Sequence, residues 1–128
     1  MAKTIIATAE APKAIGPYSQ AVRAGDFLFL SGQIAVNPET GEVLTESFEA
    51  QVRQIFKNIK AVLNAAGADL TNVVKSTVFL KHMGDFADMN RLYAEFFPHN
   101  PPARSAIQAA KLPKDVDIEI EMIAYLGS

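Results

Sequence analysis

The C-terminal part of the chain alternates strictly between apolar and polar positions. Val116, Ile118, Ile120, Met122 and Ala124 fall on one face of an extended run, and Asp117, Glu119 and Glu121 fall on the other. A second extended run, Ala103–Ala110, precedes it and carries Arg104, Ala106 and Gln108 on one face. The Lys111–Asp115 connection between them contains Pro113, which suits a turn and not a ladder position. Paired as an antiparallel hairpin, the two runs would set Arg104 opposite Glu119 or Glu121, the choice resting on a turn register that the pattern leaves open.

Earlier in the chain the same period-2 signal predicts strands at Thr4–Thr8, Phe27–Leu30 with its continuation through Ser31-Gly32-Gln33-Ile34, and Asn72–Lys81. Ala24-Gly25-Asp26 reads as a tight turn, and Gly32 as a bulge or a close backbone approach. Pro12, Gly16 and Pro17 mark Ala11–Tyr18 as a loop, and Asn37–Glu42 is a second. The period then changes to 3.6. Phe48, Val52, Ile55, Phe56, Ile59, Val62, Leu63 and Ala66 form one apolar stripe of a long helix, with Thr45 as the expected N-cap and Gly67 as the left-handed stop. Gln51, Lys57 and Lys60 lie off the stripe and are expected to face solvent. A second helix, near Asp85–Phe97, buries Phe86, Met89, Tyr93, Phe96 and Phe97 and is ended by Pro98.

Strands with two intervening helices predict an α+β domain, with both helices on one face of the sheet. Both faces of Asn72–Lys81 are partly apolar, so a central strand is expected, and the sheet face that two helices cannot reach should bury against other subunits. At 128 residues the chain fits one domain, 1–128. A net charge of −2 gives no basic footprint for nucleic acid. No apolar run approaches the ~20 residues of a membrane span, and the N-terminus lacks the pattern of a secretory signal, so a cytoplasmic protein is expected. With no cysteine there is neither a disulfide framework nor a thiol nucleophile. His82 and His99 lack metal-ligand spacing to any other candidate.

Candidate chemistry concentrates on a few positions. An arginine beside an acid suits a small carboxylate substrate, because the guanidinium grips the carboxylate with two prongs while the acid handles a proton or a water. The competing reading is an exposed cross-strand ion pair that contributes little. Tyr18, at the end of a loop, can cap a pocket or simply pack on a core edge. Asn90 sits one turn from Phe86 and can face the same interior, where its amide would need partners.

These residues belong to five motifs in a fixed order: Ala14-Ile15-Gly16-Pro17-Tyr18-Ser19-Gln20-Ala21; Leu30-Ser31-Gly32-Gln33-Ile34; Asn72 through Leu80; Asp85 through Asn90 with Tyr93 and Phe96-Phe97; and Pro102-Ala103-Arg104-Ser105 with Leu112-Pro113 and Ile118-Glu119-Ile120. Together they cover nearly the whole chain, which resembles the Rid/YjgF family of enamine and imine deaminases. The resemblance implies a chorismate-mutase-like α+β fold of the bacterial trimeric type, assembled as a homotrimer with clefts between subunits. It implies hydrolysis of reactive 2-imino acids, 2-iminobutanoate and 2-iminopropanoate, to 2-oxo acids and ammonia without a metal or cofactor. By the same resemblance Arg104 binds the substrate carboxylate and Glu119, in preference to Glu121, activates water. Tyr18, Ser31, Gly32 and Asn90 line the cleft.

One position departs from the pattern. Many family members carry a cysteine two residues after the arginine, where this chain has Ala106, so the mechanism expected here cannot use a thiol. Two further activities compete with deamination: endoribonuclease or translation-inhibitor activity, described for some relatives, and non-catalytic binding of small carboxylates, which would need Arg104 but not Glu119.

Overall fold

The computed structural model describes residues 2–127. It contains six strands, β1 (Thr4–Ile6), β2 (Ala21–Ala24), β3 (Phe27–Gln33), β4 (Val73–Leu80), β5 (Ala103–Gln108) and β6 (Ile118–Tyr125), and two helices, α1 (Phe48–Ala65) and α2 (Phe86–Phe96). All six strands form one sheet in the order β1-β2-β3-β6-β4-β5. This is the expected α+β, chorismate-mutase-like architecture with both helices on one face.

The elements form for local reasons. The β2–β3 hairpin closes through Gly25, whose φ of 60° is the left-handed value that favours glycine. Helix α1 begins at Ser47 and not at Thr45: the Ser47 side chain accepts a hydrogen bond from Ala50 N at 3.0 Å, and Thr45 lies two residues too early to do so. Gly67, at φ 76°, turns the chain beyond its end, and Ala68 N donates to Leu63 O. The stripe Val52, Ile55, Phe56, Ile59, Val62 and Leu63 is buried against Leu28, Leu30, Ile118, Ile120 and Met122 of the sheet. Phe56 stacks on Phe96 of α2 at 4.1 Å between ring centroids, locking the helices together.

The expected hairpin between the last two strands does not exist. β5 pairs with β4 and runs parallel to it, while β6 inserts between β3 and β4, antiparallel to both. β4, α2 and β5 thus make a crossover unit, the connection that parallel strands require. Gln51 is corrected as well. It is buried, not solvent-facing, and its Oε1 accepts Asp117 N at 3.0 Å, tying α1 to the start of β6.

The other sheet face carries Phe27, Phe29, Ile107 and Tyr125, all at least 40% exposed. Alternation places Glu119, Glu121, Ile123, Thr77 and Phe79 on the same side. Among the described residues no helix is long and apolar enough to cross a membrane.

Candidate active site

Glu119 projects from the open face of β6, where its strand passes β3. The β3–β6 register shifts between Leu30 and Gln33, and within that irregularity Gly32 passes directly under the Glu119 carboxyl group. A Cβ at position 32 would overlap Glu119 Oε2, so glycine there leaves the carboxyl group in its place, and any side chain would displace it. Glu119 is partly buried there. Burial pushes its pKa above the ordinary carboxylate value, and the neighbouring charge of Glu121 adds to the rise.

Tyr18, Ser31 and Gly32 gather at the same end of the sheet. Tyr18 and Gly32 line a cavity of about 600 Å³ together with Ile15, Ile34, Val36 and Lys114. Ser31 Oγ donates to Ser19 O at 2.6 Å and Ser31 N to Gln20 O at 3.0 Å, which fastens the loop bearing Tyr18 to β3. Buried Gln20 holds the rest of that loop: its Oε1 accepts Thr8 N, and its Nε2 donates to the carbonyls of Thr8, Ala11 and Pro12. Fully buried Asn58 of α1 donates to the carbonyls of Ile34 and Val36, two residues that line the cavity. Tyr18 itself remains 52% exposed at the rim.

Arg104 lies elsewhere. Its register partner on β4 is Ser76, which in turn pairs with Met122, whereas Glu121 pairs with Thr77 and Glu119 with Phe79. Ser76 and Met122 point to the helix side, so Arg104 does too, and both glutamates point away. One strand and one sheet face therefore separate Arg104 from Glu119 within a single chain. The guanidinium rests on α2, 4.9 Å from the Tyr93 ring centroid and 5.6 Å from that of Phe86, with Nη1 3.8 Å from Met89 Sδ. Asn90 joins it, along with Phe97, Pro101 and Pro102, around an open groove of about 420 Å³. Ala106, two residues on, is a partly buried packing residue on the helix side.

Residues 8–126 match the family described as Endoribonuclease L-PSP. A RutC family protein of Pyrococcus horikoshii is 56% identical over 123 residues, covering 96% of this chain and 98% of its own. The chain belongs to the Rid/YjgF family. Another relative, the chloroplastic Reactive Intermediate Deaminase A of Arabidopsis thaliana, is 48% identical over 97% of this chain and 66% of its own. Among solved structures, that of E. coli TdcF with bound serine superposes with a TM-score of 0.92 at 45% identity, covering 97% of this chain and 99% of that one.

In this Rid protein the six residues singled out in the sequence form two groups, Tyr18, Ser31, Gly32 and Glu119 on one side and Arg104 with Asn90 on the other. Sequence reasoning missed what positions them. Gln51 and Asn58 are seven residues apart and share the α1 face with Ile55 and Val62, a helical spacing that marks buried amides. The bed of Phe86, Met89 and Tyr93 under Arg104 was readable only as core, because nothing local says that β5 returns beside β4. Among the described residues no three His, Cys, Asp or Glu side chains cluster closely enough to hold a metal.

Proposed function

We propose that this chain is a homotrimeric hydrolytic deaminase of reactive 2-imino acids, with 2-iminobutanoate and 2-iminopropanoate as substrates. The observation that carries the proposal is the separation of Arg104 and Glu119 onto opposite faces of one sheet, next to an open face bearing Phe27, Phe29, Ile107 and Tyr125. A second copy seated on that face buries the aromatics and brings its own Arg104 to the Glu119 end of its neighbour. Each cleft then takes Tyr18, Ser31, Gly32 and Glu119 from one subunit and Arg104 and Asn90 from the next. The serine bound by TdcF, an amino acid with the same carboxylate, and the deaminase name of the Arabidopsis relative support this substrate class.

The chemistry follows from the groups. Arg104 grips the carboxylate and orients the imine carbon, which is already electrophilic. Glu119 takes a proton from water as the water oxygen bonds to that carbon, giving a tetrahedral carbinolamine. The same carboxyl group returns the proton to nitrogen, then relays the proton of the new hydroxyl to nitrogen as the C=O bond forms and the C–N bond breaks, and 2-oxo acid and ammonia leave. A carboxyl group raised by burial is a stronger base than one in water, which suits the first step.

Coupling the protein to a threonine dehydratase tests the reading. Wild type should accelerate release of 2-oxobutanoate and ammonia, and Arg104→Ala and Glu119→Ala should each abolish the acceleration. No acceleration by wild type would remove this substrate. RNA cleavage that survives Arg104→Ala and falls steeply with salt would favour the endoribonuclease reading instead. Tight carboxylate binding indifferent to Glu119→Ala, without turnover, would favour a binding protein.

A further inference from the structure

Two buried hydroxyls beneath Arg104 have no part in that chemistry. Ser76 is fully buried on β4, and Tyr93, 5% exposed, reaches in from α2. Neither Ser76 Oγ nor Tyr93 Oη makes a hydrogen bond of ordinary geometry. They are nonetheless near enough for the serine hydroxyl to work against the rise that burial produces in the tyrosine pKa, as the charge of Arg104 also does. A loosely met buried hydroxyl costs stability. A phenylalanine at position 93 would bury the same ring without that cost.

The Tyr93 ring is fixed by its neighbours. Phe56 meets it edge-on at 5.9 Å and Phe97 tilts against it at 4.9 Å. It also lies 4.9 Å from the Arg104 guanidinium carbon, with Phe86 supplying a second ring at 5.6 Å. Aromatic contact engages the guanidinium without using its N–H edge, which is the edge that meets the two oxygens of a carboxylate. Among the described residues Arg104 forms no salt bridge, and its side-chain hydrogen bond runs from Nη1 to Met89 Sδ at 3.8 Å, which leaves its other N–H groups for a carboxylate.

We propose that Tyr93, held by Phe56 and Phe97, is a positioning residue that holds the Arg104 guanidinium with its remaining N–H groups free for the substrate carboxylate. The inference rests on the reading of Arg104 as the carboxylate anchor. It assigns to Tyr93 an effect on substrate affinity that operates through Arg104, with Phe86 as the outer support and Phe56 and Phe97 fixing the ring.

The test is kcat and KM for 2-iminobutanoate generated in situ, measured with thermal melts for Tyr93→Leu, Tyr93→Phe, Ser76→Ala, Phe86→Leu and Arg104→Ala. Loss of the aromatic face in Tyr93→Leu should raise KM about tenfold with kcat near wild type. Tyr93→Phe keeps the ring and should recover most of that loss. Ser76→Ala should match Tyr93→Phe, and the double variant should be no worse than either. Phe86→Leu, at a partly exposed position that tolerates substitution, should raise KM roughly threefold without moving Tm. Unchanged KM in Tyr93→Leu and Phe86→Leu, with Arg104→Ala inactive, overturns the positioning role and leaves the anchor standing. Wild-type kinetics in Arg104→Ala would instead remove the anchor itself. If Tyr93→Leu does not fold, Phe86→Leu decides the matter, an unchanged KM overturning the positioning role.

Discussion

Glu119 and Gly32 act as one unit, since the carboxyl group occupies the space that a side chain at position 32 would need. Gly32→Ala should therefore push the carboxyl group aside and cut deamination by at least about tenfold, a loss of positioning, with a much smaller change in thermal stability. Rates and a melting curve on the same sample check this. Glu119 must be ionised to accept a proton, so kcat/KM should fall as pH drops, with a midpoint above the usual carboxylate range because burial and Glu121 raise its pKa. The stability effect has the opposite sign. A carboxyl group whose pKa is raised by folding favours the folded state only at low pH, and that contribution is lost as pH rises through the unfolded and then the folded pKa. Glu119→Gln should thus be inactive yet melt no lower than wild type, and slightly higher, at pH 8, with the advantage fading below the ordinary glutamate pKa. A lower Tm at pH 8 would contradict it.

Among the elements, the helices were legible in the sequence, except that Phe86, expected to be buried, is 36% exposed beside Arg104, and one pairing was not. The α1 stripe, the turn at Gly25 and the inward set Ile118, Ile120, Met122 and Ala124 each follow from periodicity or a single residue's φ, and each is seen. The pairing of β5 failed because the connection from Gln108 to Ile118 looked like a hairpin turn. Nine residues are more than the two to five of a typical hairpin loop, and the β4-α2-β5 order already satisfied the rule for a parallel neighbour. Which strand lies beside which is a non-local choice, settled by burying Ser76, Val78 and Leu80 under the helices. The buried amides of α1 were illegible for a related reason, since their backbone partners lie 22 to 66 positions away. Asn58→Ala should strand the Val36 carbonyl and cost about 1–3 kcal/mol, read as a Tm lower by several degrees. Ser47→Ala removes only an exposed cap and should cost about 1 kcal/mol with activity intact.

For the whole molecule, the proposed assembly makes the open sheet face decide whether a working cleft exists. Phe29, 46% exposed at the middle of that face, is the position to test. Phe29→Asp should leave the chain folded by circular dichroism, reduce its mass in light scattering from that of the proposed trimer to a monomer, and abolish turnover although no catalytic group has changed. A trimer that survives with full activity would mean that the copies meet elsewhere. Arg104 and Glu119 also stand back to back across their own sheet, so the proposed assembly lets no polypeptide serve itself: each donates a grip to one neighbour and a base to the other. Two dead proteins, one lacking the arginine and one lacking the glutamate, should then revive when unfolded and reassembled together, to roughly a quarter of normal output if chains mix at random. Dilution should silence the native protein without melting a single chain.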